Sequence, residues 1–297
     1  MQNKIKTSFS IKDLENLSGI KAHTIRIWEK RYNLLTPERS DTNIRLYNIN
    51  NLKRLLNASY LNKQGVKISH ISSLSDTEIN SKVNEFIITQ GFDDQAHNMF
   101  KLAMLKFDKA LFNSTFNQLL SEYSFREIFT NIFSRLFDEI GILWQTETIK
   151  PVHENFISNL IKQKIFLNIE KTQSSVSENP KTYILFLPDN EIHEIGLLFI
   201  YSELIMRGYN TIYLGQSVPM DTLEELQNIF KDIEFISYFT VAPSLSEAPN
   251  YLDTIQKNVL SMRNEKLHIL GRNTTFLNYK SENIILHKDL SELLETL

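Results

Sequence analysis

A glutamate, a histidine and a glycine stand at Glu191-x-His193-x-x-Gly196, inside the stretch PDNEIHEIGLLF at positions 188–199. Imidazole is a metal ligand that works in its neutral form near pH 7, and it does so best when an acceptor fixes its second ring nitrogen. Glu191, two residues before His193, is placed to be that acceptor. Gly196 leaves room for close approach of a ligand or of another backbone. The same residues also read as a loop histidine, a helix-start acid at Glu194 and a packing glycine. A second constellation is cationic. His23, Thr24, Arg26, Lys30 and Arg31 lie on one short segment, and Arg39, Arg45 and Tyr47 follow it. A guanidinium forks onto phosphate or onto guanine. Any one of these arginines reads equally well as a solvated charge; their clustering points to DNA.

Charge distribution agrees with the second constellation. Residues 1–75 carry thirteen Lys and Arg against five Asp and Glu, while the whole 297-residue chain has a net charge of −3. A basic head on an acidic body meets a polyanion through the head. The length implies two or three domains, and 42 % apolar against 23 % charged residues is enough for each to bury a core. There is no cysteine, which excludes disulfides and thiolate metal sites. No apolar run has the length of a membrane span, and MQNKIKTSFS lacks the apolar core of a signal peptide. The expectation is a cytoplasmic protein without a membrane partner.

Elements must position these residues. In SFSIKDLENLSGI, Ser10 caps a helix whose apolar positions are Ile11, Leu14 and Leu17, and Gly19 makes the turn. KAHTIRIWEKRY is a second helix with Ile25 and Trp28 inward. Pro37 and the Ser-Asp-Thr-Asn cluster then suit a hairpin tip before a strand at 44–47. Helix, turn, helix and hairpin make a winged helix-turn-helix head over 1–75. SLSDTEINSK suggests a linker over 76–91. Phe and Leu recur at helical spacing over 92–171, which predicts a four-helix bundle. After the polar connector TQSSVSENP, the runs TYILFLP, NTIYLG, EFISYFTV and KLHILG alternate with helical segments over 180–297. That alternation predicts a doubly wound parallel, Rossmann-like sheet, whose ligands sit beyond the carboxyl ends of the strands. The fold class is thus multidomain, α and α/β.

Three segments resemble known families. FSIKDLENLSGIKAHTIRIWEKRYNLLTPERSDTNIRLYNINNLKRL resembles the head of MerR-type transcription regulators. The resemblance implies a groove-reading helix at 23–31, a wing at 37–47, and function as a dimer on double-stranded operator DNA. The segment around His193 resembles cobalamin-binding domains, whose hallmark is Asp-x-His-x-x-Gly after the first strand. It implies His193 as lower ligand to cobalt and Glu191, here in place of Asp, as its orienter. It also places Gly215, Ser217 and Gly271 beside the corrin or its nucleotide tail. The family's tail-contacting serine is not assigned by the sequence, since Ser237, Thr240 and Ser244 all stand near the third strand's end. Where the family has paired glycines, this chain has Gly271-Arg272, and the arginine reads as filling the slot or as binding phosphate. The three parts together resemble the light-responsive, adenosylcobalamin-binding repressors of carotenoid genes. In that family a tryptophan, followed ten and eleven residues on by Glu-His, faces the adenosyl group. Here Trp144 is followed by Glu154 and by Asn155, while His153 is displaced by one position, roughly 100° around a helix. Trp144 also reads as an ordinary core aromatic.

Three functions follow. The first is a non-enzymatic regulator, a repressor, whose homo-oligomer, a dimer or tetramer, and whose operator binding are set by adenosylcobalamin and light. The second keeps the DNA-binding regulator and drops the cofactor, because Asn155, Glu191 and Arg272 all depart from the family pattern. The third, a cobalamin enzyme subunit, is disfavoured by the DNA-reading head.

Overall fold

The computed structural model describes residues 8–90, 93–172, 181–230, 232–260 and 265–297. The chain divides into two units, Met1–Leu160 and Ile161–Leu297.

The first unit begins with strand β1 (Ser8–Phe9) and helices α1 (Ile11–Ser18) and α2 (Ala22–Tyr32). Ser10 caps α1 through a reciprocal bond pair with Asp13, and Gly19 ends it at φ 71°, a left-handed conformation that glycine adopts without a Cβ penalty. Strands β2 (Glu38–Arg39) and β3 (Arg45–Asn48) form the wing hairpin, with Arg39 paired to Arg45. β1 pairs on the other side of β3, so the order is β1-β3-β2. Asn48 then caps α3 (Ile49–Lys63), and α4 (Ile68–Ser73) follows. This is the winged helix-turn-helix head.

Residues 76–90, expected to be a linker, form helix α5 (Asp76–Gln90) instead. Its start is fixed by Ser75, whose backbone N–H and hydroxyl both donate to the Glu78 carboxylate. Ile79 and Val83, four apart, bury one face. Four helical stretches then follow: α6 (Asp93–Lys106), α7 (Lys109–Leu120), a run made of α8 (Phe125–Glu127), a π-helical stretch Ile128–Phe133 and α9 (Ser134–Gln145), and α10 (Pro151–Thr172). Phe100, Phe112, Phe116 and Phe133 stack and tilt against one another at 5.1–6.3 Å between ring centres, which is the apolar centre of this layer. The expected bundle start at 92 lies outside the described residues, as do the end of the 76–91 linker, the expected sheet-domain start at 180 and nearly all of TQSSVSENP.

The second unit contains a five-stranded parallel sheet: β4 (Thr182–Phe186), β5 (Asn210–Gly215), β6 (Ile233–Tyr238), β7 (Leu267–Leu270) and β8 (Ile284–Leu286). Every residue of β4 and of β7 is buried, as strands covered on both faces require. Helices α11 (Ile195–Met206) and α14 (Leu290–Thr296) cover one face through Leu197, Ile200, Leu204 and Leu293. Helices α12 (Met220–Ile229) and α13 (Ala248–Ile255) cover the other through Leu223, Leu252 and Ile255. The order β5-β4-β6-β7-β8 reverses at β4, so the crevice of the sheet opens at the carboxyl ends of β4 and β6.

Candidate functional site

Glu191 and His193 sit on the loop between β4 and α11, at that crevice. Glu191 is fully buried. Its Oε1 accepts from the Ile192 and His193 backbone N–H groups, each at 2.9 Å, and from the His193 ring at Nδ1, 2.6 Å. Its Oε2 accepts from the backbone N–H groups of Thr240, Val241 and Ala242 at 3.1, 2.6 and 2.8 Å. Burial alone pushes this carboxyl up, but the His193 ring and the amides of Val241, His193 and Ala242 more than offset it and hold it down at about 2. A carboxylate at Nδ1 places the proton there, which leaves the Nε2 edge of the ring with the basic lone pair. The His193 side chain is 43 % exposed. This dyad therefore has the ligand chemistry of a metal-facing histidine with a fixed orientation. The extra methylene of glutamate over aspartate is absorbed by the second half of the carboxylate, which ties down the loop after β6.

Around the dyad the crevice rim is apolar. Ile192 is 62 % exposed, Val241 60 % and Leu245 46 %, all on the loops after β4 and β6. Ser237 is spent inside the strand, its hydroxyl donating to the Phe186 carbonyl at 2.9 Å. The Ser244 hydroxyl bonds Glu247 at 2.6 Å. The Thr240 hydroxyl is buried without a partner among the described residues. Ser217 accepts from the Asn190 N–H at 3.0 Å, and its own N–H donates to the Glu191 carbonyl at 3.1 Å, so it clasps the dyad's loop. Gly215, at φ 85°, accepts from Leu187 N–H and turns the chain away at the end of β5.

Two glycines face this chain's own atoms. A Cβ on Gly196 would lie 2.6–2.8 Å from the ring of Tyr238, the last residue of β6. A Cβ on Gly271 would lie 2.4 Å from the Phe239 carbonyl oxygen, and the residue holds φ 112°. Both spaces, expected beside a cofactor, are taken from within. Arg272 is exposed, so it does not fill the slot after β7. The dyad and rim thus fit a corrinoid metal and its flat apolar face, while the spaces at Gly196 and Gly271 are filled by Tyr238 and Phe239.

In the first unit, Trp144 is 53 % exposed and Ile142 59 %; Glu154 is half-buried and Asn155 exposed. His153 is fully buried, stacked on Phe107 at 5.0 Å and bonded through Nδ1 to the Lys150 N–H at 3.1 Å. It is a core residue.

In the head, His23, Arg26, Lys30 and Arg31 are exposed along α2, and Thr24 is half-buried there. Arg39 is exposed on the wing, where it donates to Asn43 Oδ1 at 2.6 Å across the turn. One expected DNA contact is corrected. Tyr47 is fully buried, and its hydroxyl donates to Glu29 Oε2 at 2.7 Å. Arg45 donates through Nε to Glu29 Oε1 at 2.8 Å. Burial makes Tyr47 a strut between wing and helix, and the half-exposed Arg45 shares the same carboxylate through Nε. Glu29 is the residue that sequence reading missed, because a lone glutamate among basic residues carries no signal of what it holds.

Residues 9–78 match the family of MerR HTH regulatory proteins, and residues 96–167, within the helical layer, match the B12 binding domain family. A segment similar to MerR HTH regulators thus precedes a segment similar to B12 binding domains in one chain. It is 22 % identical over 257 residues, 84 % of each chain, to the HTH-type transcriptional repressor CarH of Myxococcus xanthus. The monomethylamine corrinoid protein of Methanosarcina barkeri shares the fold, with a TM-score of 0.53 at 14 % identity over 70 % of this chain and 97 % of that one. No helix among the described residues is long and apolar enough to cross a membrane.

Proposed function

We propose that this protein is a DNA-binding repressor, not an enzyme, whose hold on its operator responds to a corrinoid at His193. The observation that carries the corrinoid part is the His193–Glu191 pair, a 2.6 Å contact from a half-exposed ring to a fully buried carboxylate at the switch point of a parallel sheet. Glu191 holds the Nδ1 proton and the ring's direction. Ile192, Val241 and Leu245 exclude water from the face that a macrocycle would cover. The similarity to a repressor over most of both chains supports the direction of control.

His23, Thr24, Arg26, Lys30 and Arg31 enter the major groove from α2, and Arg39 meets the backbone from the wing. The active form is a homo-oligomer, a dimer or tetramer, whose linked heads multiply affinity. Adenosyl is the upper ligand in this reading, on the resemblance of the Trp144 and Glu154 spacing to the light-responsive repressors. When bound, such a group supplies a light-labile cobalt–carbon bond. Asn155 stands where the family pattern has a histidine, and His153, one position earlier, is buried in the core. A cofactor-free regulator is the second reading, and it is favoured by one observation, the Tyr238 ring against Gly196.

The test is a duplex selected by the protein from a random-sequence pool, titrated by fluorescence anisotropy in the dark with and without an adenosylated corrinoid. A change in operator affinity of about 5-fold or more supports the coupling. Arg26→Ala costs about 1–3 kcal/mol of binding if it reads a base edge. Failure to prefer any selected duplex over mixed-sequence DNA rejects the regulator; equal affinity with and without corrinoid leaves the cofactor-free reading.

A further inference from the structure

A corrinoid carries its nucleotide arm on the same face as its lower ligand. A metal seated on His193 Nε2 therefore presents that arm to the protein, beside the dyad, where the crevice between the β4 and β6 loops is the way in. In this chain the Tyr238 ring takes up that way in, and two further contacts brace the loops around it. The Tyr238 ring lies against Gly196, with three ring atoms 2.6–2.8 Å from where a Cβ would stand. Glu191 Oε2 staples the loop at Thr240, Val241 and Ala242 to the loop that carries His193. Gly271 is pressed on the Phe239 carbonyl. Tyr238 is packed with the apolar layer that includes Leu197 and Ile200, so the ring is held by that core as well as by the glycine.

We propose that Tyr238 bars the nucleotide arm, and that the site takes a corrinoid lacking that arm, of the cobinamide type, through His193. This inference rests on the corrinoid reading of the dyad. It makes Tyr238 a specificity residue, one that touches the region an arm would occupy. The retained rim of Ile192, Val241 and Leu245 is what a macrocycle alone requires.

Full-length protein is titrated with hydroxocobalamin and with diaquocobinamide, free of cyanide, and the visible band that shifts on imidazole ligation is followed. Wild type is expected to ligate cobinamide at least ten-fold more tightly than cobalamin, and His193→Ala to lose the shift. Cobalamin's own base competes with His193, which by itself favours cobinamide, so the Tyr238→Ala variant is decisive. That competition acts equally on wild type and variant. Opening the crevice should raise cobalamin affinity at least ten-fold while leaving cobinamide affinity within two-fold, and Tyr238→Phe, which keeps the ring, should behave as wild type. If the ratio of the two affinities is the same in wild type and Tyr238→Ala, with both folded by circular dichroism, the bar is refuted and the corrinoid reading stands. If neither compound shifts its band with wild type or with Tyr238→Ala, the corrinoid reading fails and takes this inference with it.

Discussion

Six hydrogen bonds converge on one carboxylate at Glu191, three to each oxygen. A buried acceptor set of that kind is stable only while it is ionised. Glu191→Gln replaces one oxygen by an N–H donor that faces donors, whichever way the amide turns. The loss expected is about 1.5–3 kcal/mol in urea unfolding at pH 7. The pH dependence has a definite sign. The folded carboxyl is held at about 2, below its unfolded value, so its stabilisation is complete above roughly pH 4.5 and is lost as pH falls toward 2. The variant should decline less steeply across that window, and an equal decline would remove Glu191 from the account. The first half of this arrangement was legible in the sequence, because Glu-x-His is a local pair. The second half was not. The amides on Oε2 lie 49–51 residues away, and no spacing rule connects a loop to the carboxyl end of the next strand but one. Tyr238 was hidden for the same reason: inside EFISYFTV it reads as a strand aromatic, and only the fold lays it on Gly196.

Among the elements, those with strong periodicity were read correctly and those with weak periodicity were not. The stretch YILF of β4 is continuously apolar, the runs behind β5 to β7 are largely so, and the helix-turn-helix carries both its cap and its turn glycine in sequence. β8 has three residues, too few for a run to stand out. α5 has only sparse apolar positions among Asp, Glu, Ser, Asn and Lys, but Ser75-x-x-Glu78 is a capping-box signature that marks its start. The wing was placed correctly as an element while one of its side chains, Tyr47, was misassigned. Arg45 and Tyr47 both end on Glu29, which makes one glutamate the link between β3 and the groove-reading helix. Glu29→Ala strands the buried Tyr47 hydroxyl, and a cost of about 1–3 kcal/mol is expected in urea unfolding. Operator binding should weaken too, although Glu29 donates nothing to DNA, because Arg39 would no longer be carried on an anchored hairpin. Glu29→Gln keeps an acceptor for one of the two partners and should lose less of both. Undiminished operator affinity in the alanine variant would show that the wing needs no anchor.

At the scale of the molecule, the sequence already separates two electrostatic roles: thirteen cationic against five anionic residues over 1–75, in a chain whose net charge is −3. The head supplies affinity for DNA, and the rest has no electrostatic reason to approach it. Control must then be a coupling free energy between two sites, and such coupling is reciprocal. Whatever factor a corrinoid applies to operator affinity, saturating operator must apply to corrinoid affinity, in a range of about 5–150-fold for typical allosteric proteins. Variants divide this claim cleanly. Arg26→Ala lowers operator affinity with and without corrinoid by one factor, so the coupling factor is preserved. His193→Ala leaves operator affinity of the corrinoid-free protein intact and reduces the coupling factor to one. Both follow from anisotropy titrations at fixed salt, since counterion release makes affinities at different ionic strengths incomparable. A coupling factor that survives His193→Ala would mean that the corrinoid acts from some other place, and the dyad after β4 would revert to a loop histidine held by a structural acid.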